Sequence, residues 1–334
     1  MNTIILTTKL EEGEKLRKQL SFYDKSFSNV SCFTKKDIVE KSFIVNDCNY
    51  LFSTWYMPEF SEEEVKCLFP QLKAVFYAAG TVKYFAEPFL KNNIRVFSAA
   101  SANGIPVAEY VASSIILANK GFLQAQRAYH WPIWIRGFKK VRKKAEKKYG
   151  NYKAKVGIIG CGVIGSKVID LLKPYKLEIV IYDPYVPEEK CSLLGVKQEN
   201  LETLFATCDV ITNHLPDIEE TREMINFKLL SSMKSTATFI NTGRGHQVVE
   251  KDLAKVMFRN PDMCAILDVT SHEPMYPWNP LYFCKNVFLT PHIAGSLNNE
   301  FDRMVEYMEQ AYKDTLYGNA NPCEVSIDQL VHHA

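Results

Sequence analysis

The stretch VGIIGCGVIG, Val156–Gly165, decides how the rest of this chain is read. The β-branched apolar run KVGII leads into it, and VIGSKVIDLLK leaves it with helical periodicity and no breaker until Pro174. Strand, glycine turn and helix in that order are the context a dinucleotide-binding turn requires. Gly160 permits the tight turn, Gly162 lets the backbone approach a pyrophosphate, and Gly165 lets the helix pack close on the strand. The helix N-terminus, at Val163 and Ile164, offers unpaired N–H groups to the anion. The next strand, EIVIYD, closes on Asp183, 18 residues after Gly165. A carboxylate there accepts from the ribose 2′-hydroxyl and repels a 2′-phosphate, which favours NAD over NADP; Pro184 follows it, not an arginine.

Outward from this turn, 334 residues exceed the size at which one core keeps growing, so two domains are expected, and 47% apolar residues can fill both. Forty basic against 38 acidic side chains leave a net charge of +2, which argues against nucleic acid or an anionic membrane as the main partner. The exception is local: residues 136–155 carry ten lysines and arginines against Glu146 alone. That run reads as a solvated arm or helix face, with a polyanion-binding patch as the alternative. MNTIILTTKL reads as a first strand instead of a signal peptide, and no apolar run reaches membrane-spanning length, so a soluble, cytoplasmic protein is expected. Nine scattered cysteines without a C-x-x-C pair suggest neither a disulfide framework nor a metal site, and fit a reducing compartment.

The first hundred residues alternate apolar runs (3–7, 50–54, 74–79, 94–99) with amphipathic stretches, which implies a parallel sheet covered on both faces. A long, nearly all-apolar helix follows from Asn103 to about Gly121, suited to burial between domains. A second alternating series begins at Lys155, with strands expected at 178–183, 209–214, 237–243, 264–269 and 286–291. The fold class is therefore α/β.

Three polar groups fall at or just past the ends of the later strands: Arg244 in NTGRG, Glu273 in DVTSHEP and His292 in TPHIAG. In an open parallel sheet ligands bind outside the carboxyl ends of the strands, so all three are expected to face the cofactor's crevice. An arginine can hold the carboxylate of a 2-oxo acid and polarise its carbonyl with paired N–H donors. A histidine can give a proton to that carbonyl oxygen as hydride arrives, and a neighbouring carboxylate stabilises its imidazolium. Singly, each has a structural reading: an ion pair for Arg244, a turn cap for Glu273, a core histidine for His292.

In order and spacing, these motifs resemble the D-isomer-specific 2-hydroxyacid dehydrogenase family over nearly the whole chain. They are GIIGCGVIG with Asp183, HLPDIEETREMI (214–225), NTGRGHQVVEKDL (241–253), ILDVTSHEP (266–274) and NPLYFCKNVFLTPHIAG (279–295). The resemblance implies two Rossmann- or flavodoxin-like domains with parallel sheets and an active site in the cleft. Residues 1–102 plus 297–334 would form the substrate domain and 103–296 the NAD-binding domain. It assigns Arg244 to the substrate carboxylate, His292 to acid/base catalysis and Glu273 to the histidine's partner. It places His214, Leu215, Pro216, Thr221, Thr242, Gly243, Asp268, Ala294 and Gly295 along the NAD site, with Val107 near the nicotinamide. The backbone at Ala79, Gly80 and Thr81 would bind the substrate carboxylate through N–H groups. Tyr56, with Trp55, either shapes the substrate pocket or serves the core or rim. The region of Trp131 and Trp134 resembles the family's arm around a second subunit, so a homodimer is expected; lining a partner's cleft is the alternative. No metal is expected. The function implied is hydride transfer between NAD(H) and a D-2-hydroxy acid/2-oxo acid pair, the competing readings being an NAD-sensing corepressor-like scaffold and a formate- or phosphite-type dehydrogenase.

Overall fold

The computed structural model describes residues 2–40, 45–129, 137–328 and 330. Its strands are, in chain order, β1 (Asn2–Leu6), β2 (Ser31–Phe33), β3 (Cys48–Ser53), β4 (Ala74–Tyr77) and β5 (Arg95–Ser98). Then come β6 (Tyr152–Ile159), β7 (Lys176–Tyr182), β8 (Lys197–Gln198), β9 (Val210–Asn213), β10 (Thr238–Asn241), β11 (Cys264–Leu267), β12 (Val287–Leu289) and β13 (Glu324–Val325). Helices connect nearly all of them, and the chain falls into two compact units, Met1–Gly104 with Ser296–Ala334, and Ile105–Gly295.

The first unit holds the order β2-β1-β3-β4-β5, all parallel, with β13 antiparallel on the β5 edge. The second holds β8-β7-β6-β9-β10-β11-β12, parallel throughout. Both are doubly wound orders, and each has a point where the chain reverses direction across the sheet: between β1 and β3 in the first unit, between β6 and β9 in the second. Crossover helices cover both faces of such sheets, so their strands must be apolar on both sides. Accordingly every residue of β4, β9, β10 and β11 is buried.

In the second unit Phe205, Phe239 and Leu253 fill one face, Val168, Ile169 and Ile240 the other. The helix Ala100–Asn119 buries Val107, Val111, Ile115 and Ala118 in this second layer, a spacing that forms one helical stripe. In the first unit Phe52, Phe76 and Phe97 stack across β3, β4 and β5 with centroids 4.9 and 5.0 Å apart. Phe301, Met304 and Met308 of the helix Glu300–Tyr317 close that face. Each such side chain contributes about 1.5–3 kcal/mol by leaving water. No helix among the described residues is long and apolar enough to cross a membrane.

The short strands β2, β8 and β13 have no counterpart in the apolar pattern of the sequence. All three take their conformation from the strand beside them.

Candidate active site

The glycine turn sits at the second sheet's reversal point, after β6 and beside β9. Gly160 has φ 85°, and a Cβ there would lie 2.8 Å from the His214 carbonyl. A Cβ on Gly165 would lie 2.1 Å from the Gly160 oxygen, so the helix Val163–Leu172 approaches the turn as only glycine allows. A Cβ on Gly162 would meet nothing within 4 Å: the turn faces open space there. Gly162 is also the N-cap and supplies no side-chain partner, so the N–H groups of Val163 and Ile164 in the helix's first turn have no partner among the described residues. That cradle fits a pyrophosphate.

Asp183 closes the turn from the next strand, accepting from Cys161 N through Oδ2 (2.8 Å) and from Tyr185 N through Oδ1 (3.0 Å). A carboxylate has about four acceptor positions, so two remain for ribose hydroxyls. Pro184 is exposed beside it. Lys190, a residue that motif reading passes over, bonds the Cys161 carbonyl at 2.9 Å.

The loop after β9 carries His214, whose ring nitrogens meet the hydroxyls of Thr212 (3.0 Å) and Thr242 (3.4 Å). Burial pushes His214 down to about 3, so the ring is neutral. Thr221 bonds the Pro216 carbonyl at 2.7 Å and shapes the same loop.

A buried amide network, not anticipated from the motifs, ties this loop to the one that carries Arg244. Asn213 donates to Asn241 (3.0 Å) and Gln247 (2.6 Å), and Gln247 donates to the carbonyls of Leu215 and Pro216 (2.9 and 2.8 Å). Gln247 also accepts from Arg244 N at 3.1 Å, while Asn241 accepts from Gly243 N and donates to the Arg244 carbonyl. The guanidinium is thereby held, its Nη1 on the Gly243 carbonyl at 2.8 Å. Burial pulls Arg244 below its ordinary value, with the Asp217 and Glu273 carboxylates opposing. A Cβ on Gly245 would lie 1.9 Å from the Thr270 carbonyl carbon, so this loop abuts the one bearing Glu273.

After β11, Asp268 directs its buried carboxylate at the segment that follows β12. It accepts from the Thr290 hydroxyl (2.7 Å), Ile293 N (2.8 Å) and Ala294 N (2.8 Å), and its carbonyl takes His292 N (3.0 Å). Those bonds hold His292 at φ 54°, left-handed backbone that costs a non-glycine residue about 1–2 kcal/mol. In that posture His292 Nδ1 lies 2.8 Å from Glu273 Oε2. Glu250 braces the Glu273 loop by accepting from Ser271 N at 2.6 Å. A pocket of about 450 Å³ adjoins the pair, walled by Pro274, Met275, Tyr282, Leu289 and Pro291.

Arg244, Glu273 and His292 thus stand on neighbouring strand ends of one sheet, together with Thr242, Gly243 and Ala294. Val107 is buried in that unit's core, and Gly295 is its last residue. Tyr56, Ala79, Gly80 and Thr81 belong to the first unit. There Ser98 bonds the Gly80 carbonyl (2.6 Å) and Thr54 the Ala78 carbonyl (3.2 Å), turning the oxygens of the loop inward. The N–H groups of Gly80 and Thr81 bond no other group among the described residues.

Half of the basic run is bonded within the second unit, while Lys139, Lys140 and Lys143 lie exposed on the helix Phe138–Ala145. Lys144 and Lys147 pair with Asp262 (2.6 and 2.5 Å), Arg142 with Glu146 (2.9 Å) and Lys155 with Glu199 (2.8 Å). Lys148 donates to the Thr236 carbonyl at 2.7 Å, and burial lowers its amine to about 8. Trp131, Trp134 and Arg136 lie outside the described residues.

Comparison with known proteins fits this arrangement. Residues 113–294, more than half of the chain, match the model for the D-isomer specific 2-hydroxyacid dehydrogenase, NAD binding domain. Glyoxylate reductase of Korarchaeum cryptofilum is 31% identical over 278 residues, covering 83% of this chain and 81% of that protein. D-3-phosphoglycerate dehydrogenase of Archaeoglobus fulgidus is 32% identical over 209 residues, 62% of this chain and 38% of that longer protein. The D-isomer specific 2-hydroxyacid dehydrogenase of Lactobacillus delbrueckii ssp. bulgaricus, solved in an NAD-complexed form, superposes with a TM-score of 0.74 at 18% identity. It covers 98% of this chain and all of that one, a likeness of fold.

Proposed function

The chain belongs to the D-isomer specific 2-hydroxyacid dehydrogenase family, and from that premise we propose that it interconverts a D-2-hydroxy acid and its 2-oxo acid with NAD(H). The observation that carries the reading is the 2.8 Å contact of His292 with Glu273, built on the sheet that also carries the glycine cradle.

The cradle of Gly160, Gly162, Val163, Ile164 and Gly165 holds the pyrophosphate, and Asp183 takes the ribose. The loops at His214–Pro216, Thr221, Thr242–Gly243 and Ala294–Gly295, with Val107, line the remainder. When bound, NADH supplies the hydride and NAD receives it in reverse. A carboxylate only accepts, so the proton of the His292–Glu273 bond sits on Nδ1, and Nε2 is left for the substrate. In the reductive direction Nε2 gives its proton to the carbonyl oxygen, which becomes the hydroxyl; in the oxidative direction it takes that proton back. Glu273 counters the imidazolium charge throughout. Arg244, with Nη1 anchored on Gly243, keeps donors for the substrate's carboxylate and carbonyl. On the first unit, the N–H groups of Gly80 and Thr81, which bond no other group among the described residues, suit a carboxylate. Asp268, its oxygens occupied by the segment 290–294, acts by positioning His292.

Residues 1–102 with 297–334 serve as substrate domain and 103–296 as cofactor domain, a division supported by the two compact units. A homodimer is part of the proposal. The exposed Tyr276, Trp278, Tyr282 and Phe283, within eight residues of one another, support an interface there. So is a reducing, cytoplasmic setting, supported by nine unpaired cysteines.

The test is a panel of 2-oxo acids followed by NADH absorbance. Oxidation of NADH with at least one of them, yielding the D-hydroxy acid, is expected. Tight NADH binding without turnover on any would leave a cofactor-sensing scaffold as the better account.

A further inference from the structure

Two lysines of the first unit stand over aromatic rings near its strand ends. Lys9 Nζ lies 4.1 Å from the centre of the Tyr56 ring, and Lys15 Nζ lies 5.3 Å from that of Phe301. Phe301 in turn stacks on Trp55, centroids 5.5 Å apart, although Trp55 is 46% exposed. Neither lysine has a carboxylate partner among the described residues. Of the acids nearest in sequence, Glu14 pairs with Arg17 instead, and Glu11 and Glu12 pair with neither lysine among the described residues. The backbone fixes the first pair: Thr8 N donates to the Tyr56 carbonyl at 2.7 Å, and the Thr7 hydroxyl bonds the Lys9 carbonyl at 3.0 Å.

Topology gives this patch its meaning. Lys9, Tyr56 and Gly80 each lie three residues beyond the ends of β1, β3 and β4, which are Leu6, Ser53 and Tyr77. The strands are in register there, with Ile5 opposite Phe52 and Ser53 opposite Tyr77. Lys9 and Tyr56 therefore occupy the reversal point of the first sheet, where open α/β sheets bind ligands, with the free N–H groups of Gly80 and Thr81 one strand further on. A cation held over an aromatic face and left without a counter-ion is poised for an anion.

We infer that Lys9, seated on Tyr56 beside Trp55, is a specificity-determining residue that binds a second anionic group of the substrate, so that the preferred substrates are 2-oxo acids with a distal carboxylate or phosphoryl group. The inference rests on the dehydrogenase reading above and names the substrate class of that same site. Length agrees: strands lie about 4.8 Å apart, so β1 and β4 are separated by about 10 Å. Hydrogen bonds of about 2.8 Å at each end leave about 4 Å between the two anions, the span of about a four-atom chain.

The experiment compares kcat/KM for 2-oxoglutarate, 3-phosphohydroxypyruvate and 2-oxopentanoate with NADH, in the natural protein and in Lys9→Met and Lys9→Arg. A preference of about tenfold or more for at least one dianionic acid over 2-oxopentanoate is expected, in line with one charge-assisted contact. Lys9→Met should remove that preference through KM, and Lys9→Arg should keep most of it. Which of the two dianions leads separates a carboxylate from a phosphoryl subsite. Equal efficiency with 2-oxopentanoate, or a preference that survives Lys9→Met, overturns the inference while the dehydrogenase reading stands. Failure to reduce any of the three, or any acid of the wider panel, sinks that reading and this inference with it.

Discussion

His292 and Glu273 lie nineteen residues apart in the chain and share a 2.8 Å contact between Nδ1 and Oε2. The contact exists because Asp268 bends the segment 290–294 back and holds His292 in left-handed backbone. Replacing Glu273 by Gln keeps an acceptor for Nδ1 and removes the charge. We expect kcat to fall at least about tenfold while the Kd for NADH, measured by fluorescence, stays put. A matched loss in NADH affinity would instead mark Glu273 as a structural brace.

Gln247 holds the Arg244 backbone N–H, and the Gly243 carbonyl holds Nη1, leaving the rest of the planar fork for a substrate. A lysine offers a point charge without that fork. Arg244→Lys should therefore raise the KM for the 2-oxo acid by about tenfold or more in steady-state assays, and a lysine enzyme with ordinary KM would remove Arg244 from carboxylate binding.

The glycines of the cradle separate fold from binding. Gly165→Ala forces a Cβ to within 2.1 Å of the Gly160 oxygen, and overpacking of this kind costs about 1–3 kcal/mol, so the Tm should drop. Gly162→Ala meets no protein atom within 4 Å, so the Tm without cofactor should hold while the Kd for NADH rises about tenfold. Unimpaired NADH binding by Gly162→Ala would place the dinucleotide elsewhere.

His214 links stability to pH. Its folded value is about 3, against about 6.5 for an exposed ring, so the unfolded chain binds a proton that the folded one does not. The contribution to stability is complete above about pH 6.5 and is lost as pH falls toward 3, with a slope of at most about 1.4 kcal/mol per pH unit. His214→Gln should flatten urea-derived unfolding free energy between about pH 6 and 4 relative to the natural protein. Parallel curves for the two proteins would show that the ring is solvated.

Much of the architecture was legible because steric rules act locally. KVGII followed by the glycine turn admits one arrangement of strand and helix, and continuous apolar runs such as CAIL at 264–267 suit only a doubly covered sheet. The amide network was not legible: Asn213 and Gln247 look like any polar residues at strand ends, and their bond joins positions 34 apart. The ion pairs within the basic run were hidden for the same reason, because the acid that neutralises Lys144 stands 118 residues away at Asp262. Lys9 over Tyr56 belongs to this class too, since only the pairing of β1 with β3 brings them together.

The most direct test is the turnover of His292→Asn with NADH and the best 2-oxo acid of the panel, beside its Kd for NADH. A fall in kcat by two orders of magnitude or more, with NADH still bound, is what a proton donor at this position predicts. Turnover equal to that of the natural protein would contradict it.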